Sequence, residues 1–467
     1  MVFSSLFFIF LFLPLNLIFY FSVKSRKIKN IILVIFSLIF YAWGEPIWIG
    51  LLLISSLIDY LNGLFIDKYQ GKPIAKLGLY STLVFNLGIL ITFKYADFIV
   101  ENVNAITHFD FAKPGYLMPI GISFYSFQTI SYTIDVYRGE VKAQKSFLNF
   151  LLFVSLYHQL VAGPIVRYSH IAKEIEERLF SWNDFNNGVS RFCIGLFKKV
   201  CIANIAGEIC SHYLNNDLSN LTVLGGWLGI VTYSIQIYFD FSGYSDMAIG
   251  LGWMFGFHYH ENFKYPYLST SITDFWRRWH ISLGTFFKDY VYIPLGGNKK
   301  NNLRNIFIVW GLTGLWHGAS WNFIVWGLYF GVLLFLEKTI LLAVLGRLPK
   351  IISHAYALFF IIIGWAIFYF TDFNQLLYFI KLLFNFTNQD LYNLEVKNMF
   401  FENIYWLALA FVLCIPVYNW FYGYINSKTF FKHWTPLITI FINIFLLACS
   451  VILLVGSSYN PFIYFRF

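Results

Sequence analysis

Residues 306–336 read IFIVWGLTGLWHGASWNFIVWGLYFGVLLFL, a run without aspartate, glutamate, lysine or arginine and with one histidine, His317, set between Trp316 and Gly318. Crossing a hydrocarbon layer of ~30 Å takes about 20 apolar residues in helical form. The part before the histidine, 306–315, is too short for that, and the part after it, 323–336, ends close to Lys338, Arg347 and Lys350. With basic residues at both flanks, the spacing predicts a hairpin that enters the bilayer and returns, carrying His317 towards the midplane. Gly314, Gly318 and Ala319 allow its two arms close approach.

Apolar runs recur from 3–23 through 437–455. The whole chain is 58% hydrophobic and 22% aromatic but only 12% charged, about half the charge expected of a soluble protein. The reading is an all-α polytopic membrane protein with roughly ten crossings and some shorter, broken segments. It forms a single integral-membrane domain over 1–467, because no polar stretch is long enough for a separate soluble core. Residues 1–23 lack a basic start and a small-residue cleavage site, so they read as a retained first span. Residues 1–95 read as N-terminal helical hairpins with little chemistry beyond Asp59, residues 119–340 as the catalytic core, and residues 457–467 as a C-terminal tail.

A net charge of +9 invites a nucleic-acid partner, but the basic residues sit in short loops between spans, the signature of cytoplasmic loops. These loops are KSRKIK (24–29), DKYQGKPIAK (67–76), RYSHIAKEIEER (167–178), the 261–305 stretch and SKTFFKHW (427–434). Segments near 96–115, 211–221 and 372–401 lack the bias and fall outside, which leaves both termini extracytoplasmic. No nucleic acid is expected; membrane lipid is. The five cysteines lie in apolar segments without C-x-x-C spacing, so neither disulfides nor a metal site is expected.

Polar groups at membrane depth face protein or a water-filled cavity more often than lipid. Gln128, Asp135, His158 and Gln159 are such groups, and Gly163–Pro164 would break a helix beside them. In YFDFSGYSDMAIGLGWMFGF (238–257), Asp240 and Asp246 flank what reads as a Gly-centred break. Within 261–305, SITDFWRRWHISLGTFF reads as one interfacial helix capped by Thr273 or Ser271, with Asp274 near its positive end. On that helix Trp276, Trp279 and His280 would share a face. Arg277, Arg278, Lys288, Lys299 and Lys300, with Asp289 among them, would rim a cytoplasmic mouth, where the cations suit the phosphates of a nucleotide-bearing donor or simply hold the loops inside. LGGNKKNN (295–302) lacks phosphate-loop spacing and reads as a turn.

Taken together, DFWRRWHISLGTFFKDYVYIPLGG (274–297) and GLWHGASWNFIVWG (314–327) resemble the membrane-bound O-acyltransferase family, in its bacterial branch of alginate and peptidoglycan O-acetylation membrane components. PIGISFYSFQTISYTIDVYRG, QLVAGPIVRY and QIYFDFSGYSDMAIG extend the resemblance over nearly the whole chain. The resemblance implies a funnel of about 11 transmembrane and re-entrant helices around a central pore. It makes His317 the catalytic histidine and His280 the supporting one, with Trp316 and Gly318 framing the ring. Trp276, Arg277, Arg278, Trp279, Lys288, Asp289, Trp316, Asp240 and Asp246 become candidates for donor binding or the pore wall. Acetyl-CoA is implied as a cytoplasmic acyl donor, with no bound cofactor or metal. The acetyl group would go to an extracytoplasmic polysaccharide, helped by an extracytoplasmic acetyltransferase of the same pathway, in the bacterial cytoplasmic membrane. Tyr464 in FIYFRF (462–467) matches the tyrosine of a C-terminal F-x-Y-x-x-F motif implicated as an acyl carrier in the D-alanyl branch, although an aromatic tail also suits plain interfacial anchoring.

Chemically, a neutral imidazole with a pKa of ~6.5 in water suits a proton acceptor at pH 7. Two other readings stay open: a transporter or channel with an ionisable pore, and an O-acyltransferase acting on a lipid.

Overall fold

A chain this apolar must satisfy its backbone hydrogen bonds within each segment. The computed structural model is accordingly helical throughout, with no strand among the described residues. It describes all of 1–467 except residues 162, 216, 388, 418–419, 421–422, 425–433, 458 and 467. The basic stretch 427–434 therefore lies outside the described residues but for Trp434. Six described helices are long and apolar enough to cross a membrane: Arg26–Gly44, Ile49–Lys68, Ala75–Thr107, Trp321–Leu345, Lys350–Tyr369 and Thr435–Gly456. Leu394–Glu402 and Ile404–Leu413, which meet at 58°, make a seventh if taken as one broken span. A shorter apolar helix, Phe8–Ser22, occupies the expected first span.

The residues group into two compact units, Met1–Phe192 with Tyr244–His260, and Cys193–Gly243 with Glu261–Phe467. Residues 119–192 of the expected core segment belong to the first, and His280, His317 and Tyr464 all belong to the second.

In the first unit, polar residues of apolar helices find one another. Asp59 lies within Ile49–Lys68, fully buried, and the Asn86 amide donates to both its oxygens at 3.2 and 2.9 Å. Interhelical hydrogen bonds of this kind contribute about 0.6–2 kcal/mol each. Arg178 donates to the Tyr20 hydroxyl at 2.9 Å and to Asn30 at 2.8 Å, and Arg191 holds Asp246 at 2.9 Å. Gln128, Asp135, His158 and Gln159 are all buried, which is where their cost in lipid would drive them.

In the second unit the chain from 193 to 243 packs with everything after 260. The helix Val223–Phe255 runs unbroken for 33 residues, so the break expected between Asp240 and Asp246 does not occur. Gly243 serves close packing instead: a Cβ there would stand 2.8 Å from the Gly195 carbonyl oxygen. The reading of 271–287 as one helix is also corrected. Ile272–Arg278 and Ile281–Phe287 are separate helices, and between them His280 adopts a left-handed backbone with φ 46°. The shared face expected for Trp276, Trp279 and His280 is therefore lost.

Candidate active site

The hairpin expected around His317 is present as Asn302–His317 and Trp321–Leu336. Its arms touch backbone to backbone, because a Cβ at Gly314 would lie 2.3 Å from the Phe323 carbonyl oxygen and one at Gly327 2.2 Å from that of Trp310. At its base, the buried Asn305 amide ties the 295–300 turn through the carbonyls of Gly297 (2.9 Å) and Lys300 (2.7 Å). At its tip, His317 is the last residue of the first arm.

Three aromatic rings stand nearly perpendicular to the His317 ring, with centroids at 4.9 Å for Trp316, 5.0 Å for Trp326 and 5.2 Å for Phe368. Trp316 in turn meets the His280 ring at 5.7 Å and the Tyr464 ring at 6.4 Å. Both histidines and the tail tyrosine singled out from sequence thus gather around one indole. His280, Trp316 and Tyr464 are buried while His317 is half-buried, leaving the histidine at the hairpin tip the most accessible of the four. A cavity of about 360 Å³ adjoins this group. Phe323, Phe368 and Ile463 form its inner wall, and Asn215, Thr371 and Gln375 its polar side.

His280 is placed by a residue that sequence reasoning missed. The buried Asn262 takes the Ile281 N–H on its carbonyl at 2.9 Å and the Ser282 N–H on its side chain at 3.0 Å. This staple stops the first short helix and starts the second, turning His280 towards Trp316. The His280 Nδ1 is buried and takes no hydrogen bond from the described residues. Because His280 lies in this junction, outside the span-length helices, burial acts on it as on any core histidine and lowers its pKa from 6.5 to about 4. Between those two pH values the unfolded chain binds a proton that the folded ring refuses, so stability falls as pH drops from 6.5 towards 4. Thermal unfolding followed over that range should show a slope that His280→Gln removes.

The helix Ile272–Arg278 begins at Ser271, as one of the two caps expected, with the Ser271 hydroxyl accepting the Asp274 N–H at 3.0 Å. Glu337, also missed, lies at the far end of the hairpin and is fully buried. Its two oxygens accept the N–H groups of Ile272 (2.6 Å) and Thr273 (2.7 Å). It is the one acidic residue between 306 and 371, a signal visible in the sequence. Through this carboxylate the helix bearing the tryptophans is bolted to the hairpin bearing His317. Glu337→Gln keeps the shape but offers one acceptor for two donors. It should destabilise the protein by about 1–3 kcal/mol, the cost of a buried N–H left unmade, read as a lower unfolding midpoint in detergent.

Trp276 packs on Trp310 at 4.6 Å and Phe330 at 4.9 Å, and Trp279 on Trp365 at 4.8 Å, so both belong to the aromatic wall behind the histidines. Arg277, Lys288, Lys299 and Lys300 are exposed. Arg278 is engaged with Asp274 at 3.0 Å, and Asp289 sits half-buried in the π-helical segment Lys288–Tyr292. The expected turn lies over 295–300, with positive φ at Gly296 and Gly297, and Asn302 already opens the next helix. Asp240 and Asp246 are both ion-paired, with Lys199 at 2.6 Å and Arg191 at 2.9 Å respectively. No group of three or more metal-ligating side chains occurs among the described residues.

Comparison with known proteins places this arrangement. Residues 35–380 match the profile of the MBOAT, membrane-bound O-acyltransferase, family. The chain is 38% identical to a probable alginate O-acetylase, AlgI, of Pseudomonas putida, over 100% of both chains. It is 32% identical to a peptidoglycan O-acetyltransferase of Helicobacter pylori, over 100% of this chain and 98% of that one. A teichoic acid D-alanyltransferase of Bacillus subtilis is 31% identical over 240 residues, 47% of this chain and 60% of that protein.

Proposed function

The chain belongs to the membrane-bound O-acyltransferase family and is a multi-pass membrane acyltransferase, and from that footing we propose that it moves an acetyl group from cytoplasmic acetyl-CoA to an extracytoplasmic polysaccharide of the alginate or peptidoglycan kind. The observation that carries this reading is the meeting of His317, His280 and Tyr464 around Trp316. Family membership sets aside the transporter reading. The names of the full-length relatives favour a polysaccharide over a lipid acceptor.

In this mechanism the Tyr464 phenol oxygen attacks the thioester carbonyl. A carbon–oxygen bond forms, the carbon–sulfur bond breaks, and the phenol proton passes to the His317 ring and then to the departing thiolate. A phenol, pKa ~10, gives up its proton more readily than an aliphatic alcohol, and the resulting aryl ester stays reactive. A polysaccharide hydroxyl then attacks that ester, with a separate extracytoplasmic acetyltransferase assisting, and the phenol is restored. His280, neutral at pH 7, lines the path with a nitrogen that a substrate atom would complete. The 360 Å³ cavity, beside segments whose charge pattern places them outside, gives the acceptor its approach. Exposed Arg277, Lys288, Lys299 and Lys300 meet the donor's phosphates on the other side.

The test is reconstitution in lipid vesicles with acetyl-labelled acetyl-CoA on the cytoplasmic face and a polysaccharide acceptor with its transferase on the other. Label on the polysaccharide hydroxyls, with stoichiometric release of CoA, is the expected result. Label confined to lipid would overturn the assignment of the acceptor, and CoA release from a different acyl donor only would overturn that of acetyl.

A further inference from the structure

Lys199 and Asp240 face each other deep in the second unit, 4% and 1% exposed, with Nζ and Oδ1 2.6 Å apart. A buried ion pair is weak grounds for stability, since well-packed apolar residues often hold two helices as well. What apolar residues cannot do is hold a third, irregular segment by its backbone. This pair does so with the groups it has left: the Lys199 ammonium donates to the Pro461 carbonyl, and the second oxygen of Asp240 accepts the Ile463 N–H at 2.8 Å.

These two contacts bracket Phe462 and end one residue before Tyr464. Upstream, the Asn204 amide donates to Asn460 at 3.2 Å, and Ser211 and Tyr459 share a hydroxyl contact at 3.4 Å. Buried backbone groups need partners, and in this stretch the ion pair supplies them. Shifting the tail by one residue would offer Asp240 a carbonyl or a misplaced N–H in place of the one it holds, so the pair fixes register. Register decides which tail side chain lies against Trp316.

We propose that Lys199 and Asp240 form a clamp that seats the C-terminal tail, and that they are positioning residues for acyl transfer because they hold Tyr464 beside Trp316. The second half of this rests on the reading of Tyr464 as acyl carrier; the clamp itself does not.

Two paired variants separate a clamp from a mere strut. Lys199→Met with Asp240→Leu removes both charges together, so neither is left buried alone. Lys199→Asp with Asp240→Lys restores an ion pair between the helices, but turns an acceptor towards the Pro461 carbonyl and a donor towards the Ile463 N–H. Tail seating is read from an Ile463→Cys reporter at a position 2% exposed, labelled with a membrane-impermeant maleimide and quantified by mass on the C-terminal peptide. The clamp requires that both paired variants raise the labelling rate at least tenfold; the positioning role requires in addition that they lower kcat at least tenfold and leave the KM for acetyl-CoA within twofold. Recovery of protection and turnover by the exchanged pair alone would show a strut and overturn the proposal, as would an unlabelled reporter in the apolar pair. If Tyr464→Phe leaves turnover intact, the carrier reading is lost, and the reporter still decides the clamp.

Discussion

His317→Ala is expected to lower acetyl transfer by about 10²- to 10⁴-fold, the contribution of a positioned general base. Release of CoA from acetyl-CoA and O-acetyl content of the polysaccharide should fall together, while the protein still reaches the membrane. His317 is the half-buried member of its group, with Trp326 and Phe368 against its ring, so truncation leaves a gap without stranding a buried charge. His317→Gln keeps most of the volume and a hydrogen-bonding end but cannot take a proton at pH 7, and should be as inactive as alanine. A base lost from the transition state lowers kcat and kcat/KM alike. A raised KM with kcat preserved would instead assign His317 to binding, and full transfer at equal expression would remove it from the chemistry.

How much of this site was legible beforehand follows from where each determinant lies. His317 stood out because a polar ring in a charge-free run must be buried against protein, and the glycines around it announced the tight hairpin. His280 and Tyr464 were visible as residues, by resemblance, but their meeting at Trp316 depends on segments distant in sequence. The break at His280 has no local sign, because residues 271–283 contain neither proline nor glycine. It is imposed by Asn262, and tertiary hydrogen bonds override a continuous helical pattern.

The break expected at 240–246 failed for the converse reason. Gly243 looked like punctuation, yet inside a helix packed on Gly195 its missing side chain is a contact surface. Lys199 carried a usable signal that went unread. A lysine within the apolar 192–210 run must find an acid at the same depth, and Asp240, already flagged, was the partner. Asp59 and Asn86 show the same logic in the first unit. That span-length helices occur was legible from apolar length; the short helices between them were set by polar partners far along the chain.

Tyr464→Phe should abolish transfer to the polysaccharide, a loss of at least 10²-fold, and this single oxygen gives the sharpest division between the tail's two roles. The ring would keep its contacts with Trp316, Phe241 and Phe462 at 6.2–6.4 Å, and the clamp holds the backbone upstream without touching the hydroxyl. Protection of the Ile463→Cys reporter, read in the same variant, separates seating from chemistry, and a loss of activity with protection retained reports the oxygen. In the unsubstituted protein, brief exposure to labelled acetyl-CoA followed by acid quench should leave acetyl on the C-terminal peptide as a base-labile ester. The ester should be absent from Tyr464→Phe and from His317→Ala, because the attack needs both the oxygen and the acceptor of its proton. Adding the polysaccharide and its transferase should chase the label off within one turnover. If Tyr464→Phe transfers acetyl at the normal rate, the tail is an anchor and the sugar hydroxyl attacks the thioester directly, with His317 as its base. If instead the ester forms but cannot be chased, the tyrosine is a trap off the productive path.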